Sequence, residues 1–230
     1  MSPGIGPRRR RGHLIRVLGV AVTALAATGS LADEAMITDR PDFTESSSAV
    51  PKGTLQIEAG GTYVDIDEAE EGSLGEVLVR WGVVSGLEVR LGVGGFAWFD
   101  RPASEGSGLE AFGIGAKMNL AESADFLGDA EVALIVGAET PSGGDVTGAD
   151  VWTPEAVVTL GWDLGGRLSL GANLGVARPT GGAERFTSAW LSGVLGIDLG
   201  HGLGAFVELY GFNRIEAEGS ASVTFQTGLA

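Results

Sequence analysis

The chain contains no cysteine, so it can form neither a disulfide nor a thiolate metal site. It has only two histidines. His13 lies in a basic N-terminal stretch and His201 in a glycine-rich turn, which leaves no histidine-centred triad and no zinc motif. There is no phosphate-cradling loop and no Gly-x-Ser-x-Gly elbow feeding a helix. These absences argue against an enzyme, and against any cofactor or metal. Basic residues are scarce, 15 against 30 acids, for a net charge of −15. A surface of that sign repels phosphates, which excludes nucleic acid as a partner. After the first thirty or so residues no run of 18 apolar residues occurs, so no transmembrane helix is expected there.

The N-terminus has a different character. Arg8, Arg9, Arg10 and Arg11 precede a mostly apolar stretch from Leu14 to Ala27. Ser30 and Ala32 then occupy the −3 and −1 positions of a cut before Asp33. A basic n-region, a short apolar h-region and a small-residue site predict a secretory signal peptide over 1–32. Its removal takes five arginines and no acid, leaving 10 basic residues against 30 acidic.

The rest alternates with a period of two, the strand period. Leu55, Ile57 and Ala59 interleave with Gln56, Glu58 and Gly60. Val77, Val79 and Trp81 interleave with Glu76, Leu78 and Arg80, and Val89 and Leu91 with Glu88 and Arg90. Similar segments recur to Val223 and Phe225, about ten in all, most near the 9–11 residues of a tilted membrane strand. The connections alternate too. Short ones fall at 84–86, 121–128, 164–166 and 200–202; long polar ones at 65–73, 100–108, 140–151, 178–187 and 213–220. Trp81 and Trp162 sit beside short turns, while Trp98, Phe99, Trp152 and Trp190 flank long loops, as interfacial girdles do. The pattern predicts an all-β, antiparallel, up-and-down transmembrane barrel over 53–230, with outer-membrane lipid around it. A soluble secreted barrel with a lipophilic ligand is the alternative. It would turn its apolar face inward.

Parity assigns Glu58, Glu76, Arg80, Glu88, Arg90, Lys117, Glu131, Glu155 and Glu208 to the lumen. Two readings follow. The charges line a selective pore, or they pair with one another and fill a narrow interior. Arg80 and Arg90 fall on neighbouring strands and need acids between them, with Glu58, Glu76, Glu88 and Glu208 as candidates.

The run Ile37-Thr38-Asp39-Arg40-Pro41-Asp42-Phe43-Thr44-Glu45-Ser46, followed by Val50-Pro51-Lys52-Gly53, resembles the opening of a family of transporter-like outer-membrane barrels named for a meta-pathway of phenol degradation. Gly204–Gly211 resembles it as well. The resemblance implies a channel or uptake role for small molecules, aromatic ones among them. It also implies about one further hairpin, twelve strands in all, beyond the ten visible here. Segment 33–52, which holds the motif Asp39, Arg40, Pro41, Asp42, Phe43, Thr44 and Glu45, is either a periplasmic lead-in or a plug in the lumen. Arg40 is expected to pair locally with Asp39 or Asp42.

Overall fold

The computed structural model describes residues 15–27, 37–39, 43–66, 69–102, 104–145, 147–181, 184–201, 203–215 and 221–229. Strands dominate. In chain order they are β1 (Ile15–Ala27), β2 (Thr54–Ile66), β3 (Ala69–Val84), β4 (Leu87–Val93), β5 (Phe96–Arg101), β6 (Ser104–Leu109), β7 (Gly113–Ala124) and β8 (Ala130–Glu139). Then follow β9 (Thr153–Gly165), β10 (Leu168–Ala177), β11 (Thr180–Gly181), β12 (Glu184–Arg185), β13 (Ser188–Gly200), β14 (Leu203–Phe212) and β15 (Ser222–Leu229). The single helical turn among the described residues, Asp125–Leu127, is too short to matter to the core. Among the described residues no helix is long and apolar enough to cross a membrane.

Thirteen strands form one antiparallel up-and-down sheet with the path β1-β2-β3-β4-β7-β8-β9-β10-β13-β14-β15; β5 and β6 branch from it at β3, and β11 and β12 make a separate two-stranded sheet. The ten strands after β1 on this path match the ten alternating segments of the sequence. The sheet is not closed: β1 and β15 end the path and no ladder joins them. Tight turns use left-handed residues where a two-residue reversal needs them, as at Gly165 and Gly166 (φ 82° and 69°).

Alternation sorts the side chains with unusual polarity. Gln56, Glu58, Arg80, Glu88, Lys117, Thr159, Asn173, Ser192 and Glu208 are buried inside the rolled sheet. Val89, Leu91, Ile114, Val136, Leu174, Leu191, Leu195 and Leu209 are exposed outside it. A water-soluble domain buries the second set and exposes the first.

Two sequence expectations change. The predicted loop 65–73 is mostly strand: β2 and β3 run on past the main sheet to Ile66 and Ala69. The predicted loop 100–108 holds most of the β5–β6 hairpin, and β5 pairs with the far end of β3 from Glu70↔Asp100 to Leu74↔Phe96. Alternating Thr, Tyr and Val with acids lets these segments pair despite their charge. The apolar run expected as a signal-peptide h-region is β1, in register with β2 from Ile15↔Ile66 to Ala27↔Thr54. Arg8–Arg11, Ser30 and Ala32 lie outside the described residues.

Candidate functional site

Four neighbouring strands bring their inward charges into one belt. Arg80 on β3 faces Arg90 on β4, and Glu88 on β4 faces Lys117 on β7. Directly opposed residues of an antiparallel pair are about 5 Å apart, so two guanidiniums there repel unless acids intervene. Glu88 is one such acid. It accepts from Arg80 Nε and Nη2, both at 2.9 Å, and from Arg90 Nη1 at 3.1 Å. Glu58, from β2, accepts from Arg80 Nη1 at 3.1 Å.

The remaining acid comes from outside the sheet. Residues 37–39 and 43–50 run through the interior, so this part of the N-terminal segment is a plug. Asp39 sits at its centre. Its carboxylate meets Arg80 at 3.2 Å, Arg90 at 2.6 Å and Lys117 at 2.8 Å. Ser46 donates to the same carboxylate through its amide (2.9 Å) and hydroxyl (2.6 Å). Glu45 adds a second contact to Arg90 at 2.6 Å. The plug's backbone is held as firmly as its side chains. Asp39 N donates to Glu58, Val50 N to Glu88 and Ala49 N to Asn119 Oδ1. Arg80 donates to the carbonyls of Ile37 and Ser48.

The opposite wall grips the same segment. Glu208 on β14 accepts from Thr44 N at 2.6 Å, Thr44 Oγ1 at 2.5 Å and Phe43 N at 2.9 Å, with Gln226 of β15 donating to it as well. Asn173, its amide turned to suit both neighbours, accepts from Glu45 N and donates to Glu45 O. Ser47 and Ser48 each donate to Glu131 at 2.9 Å. No buried side-chain polar atom among the described residues lacks a partner. That matters, because an unpaired buried ion costs several kcal/mol.

Glycines make room for the plug. A Cβ at Gly161 would strike Ser47, and one at Gly82 would strike the carbonyls of Val50 and Pro51. Phe43 packs into an aromatic cluster, stacked on Tyr210 with centroids 4.5 Å apart and edge-on to Phe212 and Trp190 at 5.5 and 6.5 Å. Trp190 therefore points inward and is not part of an outer girdle. It shares parity with buried Ser192, and its indole covers Gly175 of β10.

The plug divides the interior. A cavity of about 760 Å³ lies on the long-loop side, with Phe43, Arg90, Glu139, Glu155, Trp190 and Tyr210 among its lining. A smaller one of about 300 Å³ lies on the short-turn side, bounded by Ser46–Ser48, Glu131 and Ser169. Glu45 borders both. The two carboxyls of the plug feel opposite balances. Burial pushes Asp39 up, but Lys117, Arg90 and Arg80 together outweigh it and hold the group well below its ordinary range. Burial dominates at Glu45, against the opposing pull of Arg90, and raises it to about 7.

Of the residues assigned by parity, Glu58, Arg80, Glu88, Arg90, Lys117 and Glu208 are buried together around the plug. Glu76 is half-buried. Glu131 and Glu155 face the interior but stay exposed, because they stand at the two cavities rather than at the plug. Glu208 does not serve Arg80 or Arg90; it binds plug backbone instead. Asp39, marked in the sequence only as a motif residue and a local partner for Arg40, completes the belt, and its charged partners among the described residues are Arg80, Arg90 and Lys117. Arg40, Pro41 and Asp42, and with them the expected local pair, lie outside the described residues. Asn173 and Gln226 carry no sequence signal beyond their inward parity, and Phe43 is marked only by the motif.

A family model described as "Putative MetA-pathway of phenol degradation" matches residues 38–230. The chain belongs to this family. The match begins at the plug and runs through every strand of the path after β1, so plug and sheet belong to one family unit. Neither a search of curated proteins nor one of solved structures finds a match.

Proposed function

We propose that this member of the phenol-degradation family is an outer-membrane barrel that passes small, chiefly aromatic, molecules through a lumen gated by segment 37–50. The observation that carries the reading is the inverted polarity of the sheet. Large aliphatic side chains point out and a satisfied charge network lies within, which suits a hydrocarbon surround and a polar lumen. A soluble ligand-binding barrel would need the reverse. Passage by this reading requires the plug to shift, since its contacts span the lumen from Glu58 to Glu208. Binding and transit, not catalysis, are the proposed activity, in keeping with the aromatic wall beside the larger cavity.

Export is part of the same reading. The β1 sequence is apolar at nearly every position and lacks the alternation of the other strands, as a signal peptide would. Cleavage after Ala32 would remove β1 and free the outer edge of β2. Envelope protein should then begin at Asp33; a retained Arg8–Arg11 would refute export by cleavage.

Planar-bilayer conductance tests the gate. The full chain should show small or rare openings, and a variant lacking 37–50 should conduct steadily. Equal currents from the two would overturn the gating role.

A further inference from the structure

Among the described residues the larger cavity has a charge asymmetry. Its one described lining cation, Arg90, is already engaged by Asp39, Glu45 and Glu88. Glu139 and Glu155 also line it, and neither forms a salt bridge with a described residue. They lie near the long-loop ends of adjacent strands, Glu155 facing Gly137 and Glu139 facing Thr153. A third acid nearby, Glu110, is engaged by Ser73 Oγ at 2.9 Å and by Gly95 N at 3.1 Å.

The aromatic wall stands next to these two acids. Gly175, beneath the Trp190 indole, is the cross-strand partner of Val157, and Glu155 is one inward step further along β9. Phe43 and Tyr210 continue the wall. The cavity thus has aromatic rings beside two carboxylates that pair with no described residue, with room for one or two further rings at about 760 Å³. Aromatic faces and carboxylates both attract a cation, and the faces also accept an apolar ring.

We propose that this cavity is a binding site for small aromatic cations, that is, protonated aromatic amines or aromatic quaternary ammonium ions. The proposal rests on the reading of the interior as a path for small aromatic molecules, and it adds the sign of the charge. The ligand's cationic head lies between Glu139 and Glu155. Its ring lies against Trp190, Tyr210 and Phe43.

Calorimetric titration of the full-length protein in a non-ionic detergent tests this with four probes: phenyltrimethylammonium, tetramethylammonium, benzyl alcohol and benzoate. Phenyltrimethylammonium should bind at least about tenfold more tightly than benzyl alcohol or tetramethylammonium, and benzoate should bind weakest. Added salt should weaken the aromatic cation but not benzyl alcohol. The double variant Glu139→Gln/Glu155→Gln should erase the cation's advantage and leave benzyl alcohol unchanged. Both residues are exposed and neither forms a salt bridge with a described residue, so the double variant is expected to fold. Benzyl alcohol or benzoate binding as tightly as the cation would overturn the charge assignment while leaving an aromatic path in place. No binding by any aromatic probe would overturn both. An advantage that survives in the double variant would place the cation elsewhere and overturn the site.

Discussion

Asp39 accepts from three cations and a serine, and no solvent reaches its carboxylate. Removing it leaves Arg80, Arg90 and Lys117 facing one another with fewer acids than the interior needs. Asp39→Ala should therefore cost about 3–5 kcal/mol, the typical penalty for breaking a buried pair. Arg101→Ala, which removes a half-exposed pair with Glu71, should cost about 0–1 kcal/mol. Denaturant titration of the refolded protein in micelles compares the two directly; equal losses would mean the belt is not a low-dielectric network. The two plug carboxyls also set a pH dependence. Glu45 is raised from 4.5 to about 7, so the folded state holds its proton longer than the unfolded state does. Its contribution is complete below about 4.5 and is lost as the pH rises through about 7. Asp39 is depressed, so its contribution is present above 3.8 and is lost only as the pH falls through its lower folded value. Subtracting the profile of Glu45→Gln from that of the parent should leave a loss of stability between pH 5 and pH 8. A flat or rising difference would contradict the assignment.

Each element shows how far local pattern reaches. Two-residue alternation identifies the strands, because a pleated chain sends successive side chains to opposite faces. The same parity places Glu58, Arg80, Glu88, Arg90, Lys117 and Glu208 inside. The acid that completes the belt was not legible as such, since Asp39 and Arg90 are joined through space across the lumen and no period links a plug to a wall. The 65–73 region misled for a related reason: acids favour loops on average, yet here they decorate strands that pair. Trp190 misled because a tryptophan at a strand end suits an interface equally well as an interior. The plug's fit on glycine gives an element-level prediction. Gly161→Val should displace Ser47 and expose segment 37–50 to protease, whereas Gly113→Ala, whose Cβ would meet nothing closer than 3.9 Å, should leave it protected. Protection in both variants would mean the segment is not seated against β9. On the outer face, Leu134→Arg should cost about 2–4 kcal/mol if β8 crosses near a bilayer midplane. A cost no greater than that of Glu131→Ala would place Leu134 away from lipid.

At the scale of the whole molecule, the sheet carries its charge on the inside and its aliphatic surface on the outside. No local feature alone specifies that inversion. It emerges because the polar parity of β2, β3, β4, β7, β8, β10, β13 and β14 converges on one segment that satisfies it from both walls. The membrane reading, the gate and the ligand site all depend on the inversion. The absence of cysteine makes it directly measurable, since any single introduced cysteine is unique. Spin labels placed one at a time from Leu168 to Val176 along β10, in protein reconstituted into lipid, report access to oxygen dissolved in the bilayer. Labels at Leu170, Leu174 and Val176 should be strongly relaxed by oxygen, and labels at Gly171, Asn173 and Gly175 weakly, giving a period of two. Relaxation without that period, or with the two sets exchanged, would contradict an apolar face turned to lipid around a polar, plugged interior.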